Sequence, residues 1–284
     1  FYHKQLFSPQ GKAAQAYLAK RGVDGKLATR FGLGFALESW DSLTGYLIEK
    51  GFKKEELIDA GLAIRGKRRD GCYDAFRGRL IFPIIATNGR VIGFGARTMK
   101  KDDQPKYINT GDTPIYNKRN NLYALNMQRG KRPADLVMVE GYMDVISLHA
   151  AGINNAVASL GTALTQQQAR LIKRYVERVY ISYDGDAAGQ NATMRGLDIL
   201  AAEGLDVKVI TIPNGMDPDD YVRRKGKDAF LKLKDEATTL NGVKLCILRH
   251  SSTLTRPMDA RDMQNGLVRS WAPLNPLSAS AMRP

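Results

Sequence analysis

Four short apolar runs recur in the second half of the chain, with helical patterns between them, and they predict strands at about 135–140, 156–160, 179–184 and 207–212. The first, Leu136-Val-Met-Val139, has no polar interruption, as expected of a strand buried on both faces in a parallel sheet. After it, Val145, Ile146 and Leu148 recur at helical spacing, and Gly152 stands where a helix would stop. Thr165 and Gln168 form a candidate capping box before Leu171, Ile172 and Tyr175. Gly204 is a stop after the helix containing Met194, Leu197 and Leu200. Strands about 20–28 residues apart with helices between them imply right-handed βαβ crossovers and one parallel sheet.

The pattern before this sheet is different. Arg79–Ala86 and Arg90–Arg97 flank Asn88-Gly89, the signature of a tight β-hairpin turn. Period two puts Arg77 and Arg79 on one face of their strand, and Gly93, Gly95 and Arg97 on one face of the partner. Glycine inside a strand often marks the close approach of another backbone or a ligand. A basic face poor in side chains suits a nucleic acid or a triphosphate; the bland alternative is a bulged, solvated strand with surface arginines. Tyr107 and Tyr116 lie among loop lysines, where they can stack on bases or pack locally. Residues 1–60 read as mostly helical: a helix opened by Ser8-Pro9 and ended near Gly22, a strand or bend over 29–36, a helix capped by Asp41 or Ser42 and ended by Gly51, and a short one over 55–60. Residues 225–250 read as helix, and residues after Ser251 as a tail. The fold class is therefore α/β (α+β overall): a parallel sheet flanked by helices, preceded by a mixed α+β basic subdomain and followed by a helical segment.

The ends of the apolar runs carry acids. Glu140 follows the first, Asp184 and Asp186 follow Val179-Tyr-Ile-Ser-Tyr183, and Asp217-Pro-Asp219 follows the last. Open α/β sheets bind ligands at the carboxyl edge of their strands. In extended chain, Asp184 and Asp186 point the same way, and Pro218 biases Asp217 towards an extended conformation in which Asp217 and Asp219 do so too. Taken singly, each acid reads as a helix cap or a turn residue. Converging from separate strand ends of one sheet, they repel unless a cation lies between them. Carboxylate donors without histidine or cysteine suit Mg²⁺ or Mn²⁺ and not zinc.

Charge is segregated along the chain. Overall the net charge is +14, but residues 61–132 hold 16 Lys and Arg against 5 Asp and Glu, and residues 135–220 hold 6 against 12. Solubility does not require such a division; a polyanion track leading to a cation site does. Cys72 and Cys246 are too few for a disulfide framework or a structural zinc site. No apolar stretch approaches the ~20 residues of a membrane span. Phe1-Tyr-His-Lys4 has neither an initiator methionine nor a signal-peptide apolar region, and the chain is read as a piece of a longer one.

Glu140-Gly-Tyr-Met-Asp144, Ala158-Ser-Leu-Gly-Thr162, Tyr183-Asp-Gly-Asp186 with Ala188-Gly189, and Asp217-Pro-Asp219 stand in the order of a TOPRIM domain. They resemble the version in DnaG-type bacterial primases. Phe76-Arg-Gly-Arg79, Val91–Arg97 and Pro105-Lys-Tyr-Ile-Asn109 resemble the primase-specific part that precedes it, so that the likeness covers about residues 1–230. It implies three regions: a basic subdomain over 1–132, a TOPRIM domain over 133–224 and a helical segment with a tail over 225–284. The activity implied is synthesis of RNA primers from NTPs on a single-stranded DNA template. Glu140, Asp184 and Asp186 are then the catalytic acids and metal ligands, with Asp217 and Asp219 assisting at a second ion. Asp144, about one helical turn past Glu140, is a weaker candidate. Arg77, Arg79, Arg97, Lys106, Asn109 and Lys118 are expected around nucleotide and template.

The likeness further implies a monomer in the bacterial cytoplasm, away from membranes, with the replicative helicase and the family's zinc-binding domain as partners of the full-length protein. No zinc-module spacing occurs in this sequence. A TOPRIM enzyme that cleaves DNA and a non-enzymatic nucleic-acid-binding protein are the alternatives.

Overall fold

A computed structural model describes residues 1–66, 71–100, 102–161, 163–182, 196–239 and 242. Residues 1–240 pack as one unit.

The second half carries the expected sheet. Strands β7 (Leu136–Val139), β8 (Ala156–Ala158), β9 (Arg178–Ile181) and β10 (Asp206–Val209) are parallel, in the order β10-β9-β7-β8. β7 lies inside the sheet between β9 and β8 and is buried along its whole length, which explains its unbroken apolar run. Helices α6 (Tyr142–Ala150) and α7 (Gln166–Lys173) follow β7 and β8, and the described part of α8 spans 196–202. The Thr165 capping box forms: Thr165 Oγ1 accepts from Gln168 N at 3.1 Å, and Gln168 Oε1 accepts from Thr165 N at 3.0 Å. Gly152 and Gly204 end their helices at φ 84° and 77°.

The carboxyl-terminal part departs from expectation. Helix α9 runs over Pro218–Asp235, with a kink at Gly226, and is followed by strand β11 (Thr238–Thr239), antiparallel to β10. The expected helix over 225–250 thus begins seven residues earlier and ends at Asp235. Asp217 as N-cap and Pro218 at the first helical position are start signals, and the two β-branched threonines extend the sheet edge. Residues 243–284 lie outside the described residues.

The first half is built on an antiparallel sheet in the order β1-β4-β5-β6: β1 (Gly34–Ala36), β4 (Arg79–Ile85), β5 (Val91–Thr98) and β6 (Tyr107–Asn109). β4 and β5 form the expected hairpin, Gly89 taking φ 90° at the turn. Strands β2 (Ala63–Arg65) and β3 (Cys72–Asp74) make a separate small hairpin. Helices α1 (Tyr2–Leu6), α2 (Lys12–Lys20), α3 (Gly25–Arg30), α4 (Ser42–Glu49) and α5 (Lys54–Asp59) surround these sheets. Asp41 stands at the N-cap of α4, as one of the two expected positions, but its side chain makes no capping bond. That part is taken by the buried Asp74 of β3, which accepts from Leu43 N and Thr44 N, both at 2.8 Å.

One apolar cluster is shared by both sheets, running from Leu80, Phe82 and Ile84 through Tyr123 and Tyr142 to Val139, Ile210 and Phe230. His149 of α6 is buried inside it. Its Nε2 lies 3.0 Å from Ala156 O, and its ring meets Phe31 edge-on at 5.2 Å. Burial pushes this imidazole from 6.5 down to about 4. The unfolded chain therefore binds the proton more readily than the fold. Stability contributed by the neutral ring is complete above pH 6.5 and falls progressively down to about pH 4. Equilibrium denaturation across that window is expected to lose on the order of 3 kcal/mol through this group, and His149→Gln to flatten the slope.

Candidate active site

Glu140 stands half-buried immediately past β7, at the carboxyl edge of the parallel sheet. Gly141 caps α6, and Asp144, in the first turn, accepts from Gly141 N through Oδ2 at 3.1 Å. The other oxygen of Asp144 accepts from Asp219 N at 3.3 Å. Two strand-end corners, one after β7 and one after β10, are thereby joined through a single carboxylate.

The second corner is a helix N-terminus: Asp217, before Pro218, is extended as expected at φ −79° and ψ 165°, whereas Asp219 is helical and not extended. Asp217 caps α9, its Oδ1 accepting from Asp220 N at 2.6 Å. Asp219 lies in the first turn and is only 2% exposed. Its carboxylate pairs with Arg21, with Arg223 Nε at 2.8 Å, and with the Ser147 hydroxyl at 2.6 Å. Asp220 pairs with Arg223. Oxygens of Asp217, Asp219 and Asp220 all lie within 4.8 Å of one another. Asp184 and Asp186 lie outside the described residues.

The basic residues divide between two faces. Cross-strand pairing sets Arg79 beside Thr98 and Arg97 beside Leu80, so Arg79 and Arg97 emerge on opposite sides of the antiparallel sheet. Arg97 is buried on the acid-cluster side. It bonds the Tyr107 hydroxyl, and its guanidinium lies 5.7 Å from the ring of Tyr17. Arg21 packs on the same Tyr17 ring at 5.3 Å, which links Arg97 to the ion pair with Asp219. Burial pushes the Tyr107 phenol up to about 12 despite the opposing pull of Arg97.

On the other face, Arg79 donates to Pro105 O at 2.8 Å and pairs with Asp103 at 3.1 Å. Arg77 lies in the turn before β4, where its guanidinium sits 4.2 Å from the ring centre of Trp40. Trp40 is 64% exposed. Together with Lys100 and Gln104 these residues line a groove of about 800 Å³. Lys106 is exposed and Lys118 half-buried; the carbonyl of Lys118 accepts from Gln168 Nε2 at 3.1 Å.

The bare glycine face does not exist. A Cβ on Gly93 would lie 3.2 Å from the ring of Tyr116, and one on Gly95 would lie 2.3 Å from the Tyr142 hydroxyl. The close approach that those glycines permit is by the protein's own tyrosines. Tyr116 is fully buried, and Tyr107 packs against Arg97, so of the two readings of these rings, stacking on bases or local packing, the structure shows local packing. Arg21, Trp40 and Tyr142 went unrecognised in the sequence. Trp40 carries no local signal beyond its residue type, Tyr142 stands inside the Glu140–Asp144 motif with no role of its own assigned, and Arg21 sits far from its partner at Asp219.

The donors at this edge are hard carboxylate oxygens, which fit a divalent cation such as Mg²⁺ or Mn²⁺. Among the described acids, Glu140 and Asp217 are half-buried, whereas Asp219 is closed in by its arginines and serine. Such an edge, with Arg21 and Arg97 beside it, can hold a polyphosphate next to a cation.

Known proteins resemble this chain in sequence and in fold. The sequence model of the family described as DNA primase catalytic core, N-terminal domain, matches residues 1–129, and that of the family described as Toprim-like matches residues 137–222. A DNA primase of Clostridium acetobutylicum is 50% identical over 228 residues, which are 80% of this chain and 38% of the relative. One from Halalkalibacterium halodurans is 40% identical over 257 residues, 89% of this chain and 43% of the relative. The chain thus spans about two-fifths of the length of these curated relatives. Among solved structures, the E. coli primase catalytic core matches with a TM-score of 0.82 at 39% identity, covering 87% of this chain and 80% of that one. A DnaG primase catalytic domain bound to ssDNA matches with a TM-score of 0.80, also at 39% identity, covering 87% of this chain and 78% of that one. The chain belongs to the DnaG-type DNA primases, as a catalytic core with a Toprim domain.

Proposed function

We propose that this chain synthesises short RNA primers on single-stranded DNA, joining ribonucleotides by attack of a 3′-hydroxyl on the α-phosphorus of an NTP with release of pyrophosphate. The observation that carries this reading is the union of the Glu140 and Asp217–Asp220 corners through Asp144, beside Arg21 and Arg97.

In this reading Glu140, Asp184, Asp186 and Asp217 hold Mg²⁺ or Mn²⁺. Bound there, the cation supplies an activated hydroxyl and charge neutralisation at the leaving group. Asp219 contributes to the negative field of the same site while it orients Arg21. Arg97, with Lys106 and Lys118, draws the triphosphate to the edge and offsets the charge that develops on its oxygens. The groove floored by Arg77 and Arg79 takes the template, with the exposed Trp40 as a stacking platform for bases. Residues 1–132 thus serve as the polyanion-binding part and 133–224 as the metal-binding part. The remainder of the family's machinery, the zinc-binding domain and the replicative helicase, is the proposed set of partners of the whole protein in the bacterial cytoplasm.

A template-directed assay separates this from DNA cleavage. Labelled ribonucleotides are expected to enter short products on single-stranded DNA with Mg²⁺ or Mn²⁺, while supercoiled plasmid stays unrelaxed and uncut. Relaxation or nicking without ribonucleotide incorporation would overturn the reading.

A further inference from the structure

Asn109 is expected, by family likeness, to touch nucleotide or template. Its side chain is otherwise engaged. Oδ1 accepts from the Tyr142 hydroxyl at 2.8 Å, and Nδ2 donates to Leu160 O at 3.3 Å. Tyr142 opens α6, two residues after Glu140. Leu160 lies beyond β8 with φ 66°, an uncommon backbone state for a branched side chain, next to Gly161 at φ 71°. One amide therefore ties the edge strand of the antiparallel sheet to the carboxyl-end corners of two parallel strands.

Tyr142 has little room to be elsewhere. Its ring stacks on Phe82 at 4.7 Å and meets Tyr123 edge-on at 4.7 Å. Asn109 pairs in register with Gly95, the residue whose missing side chain leaves space for the phenol tip.

We propose that Asn109 is a positioning residue: through Tyr142 and Leu160 it sets where the basic strands β5 and β6 stand relative to Glu140, and it does not itself bind the nucleotide. Arg97 is on β5 and Lys106 immediately precedes β6, so the same staple fixes the spacing between the phosphate-binding groups and the acid edge. Misplacement by about 1 Å is enough to slow a positioned reaction by about 10²-fold.

This rests on the proposed primer synthesis, and the test is a double-mutant cycle that also reads quantities independent of turnover. Tyr142→Phe removes one oxygen and keeps the stacked ring; Asn109→Ala removes the amide. Each is expected to lower kcat by about 10- to 100-fold, with the KM and the directly titrated Kd for ATP changed less than about twofold. The double variant should be no worse than the worse single one, in both kcat and unfolding free energy. Additive losses, or a weakened ATP Kd in Asn109→Ala of equal size in both backgrounds, would overturn the proposal. Should the unaltered chain make no primers, the function reading fails, and the unfolding cycle and ATP titration still decide the staple.

Discussion

Replacing Glu140 by glutamine is expected to cut primer synthesis by about a thousandfold or more, the scale at which a preorganised charge on a reacting centre acts. The substitution keeps the volume of the side chain and removes one negative charge from the carboxyl edge. Its half-buried place past β7 lies outside the apolar cluster. The melting temperature should shift by no more than about 2 °C, corresponding to less than about 1 kcal/mol for a domain of this size. Paired measurements of ribonucleotide incorporation and Mn²⁺ affinity check this. Retention of a tenth of the activity would remove Glu140 from the reacting centre, and with it the main support for metal-assisted nucleotidyl transfer here.

Gly95→Ala should do comparable harm by a different route. The added methyl would sit 2.3 Å from both the Tyr142 hydroxyl and its ring carbon, far inside contact distance. Tyr142 is held between Phe82 and Tyr123 and cannot swing away without breaking its bond to Asn109. Overpacking of this kind costs about 1–3 kcal/mol, and displacement of the phenol disturbs the corner that carries Glu140. Loss of stability together with a severe loss of kcat is the expected result in thermal unfolding and primer assays. Gly111, where a Cβ would meet nothing within 4 Å, is the matched control. Gly95→Ala behaving like Gly111→Ala would contradict the packing described for Tyr142.

The contrast between these two positions says what could be read without coordinates. Glu140 is legible because a buried parallel strand must be apolar throughout and must end somewhere, and an acid at that end is conspicuous. The same physics exposed β8, β9 and β10, the Asn88-Gly89 turn and the Thr165–Gln168 cap, all of which depend on neighbours in sequence. Gly95 carries a signal that is ambiguous by nature. A missing side chain announces close approach but not whether the visitor is a ligand or a tyrosine 47 positions later. Arg21 and Asp219 meet across 198 residues, and Asp74 caps a helix some 30 residues before it. Neither spacing has a local signature. For α9 the signature was present, an aspartate followed by proline, but it also fits a turn, and only the burial of Val222 and Phe230 distinguishes the two.

Asp144 changes how a mutational survey of the acids should be interpreted. Both of its oxygens receive main-chain N–H groups, one from its own helix and one from the helix that bears Asp217 and Asp219. Truncating it would let those two helix starts drift apart and would silence turnover as thoroughly as deleting a true ligand. A count of inactive variants therefore does not by itself give the coordination number of the ion, and titration of bound Mn²⁺, variant by variant, is the way to tell a joint between helices from a donor.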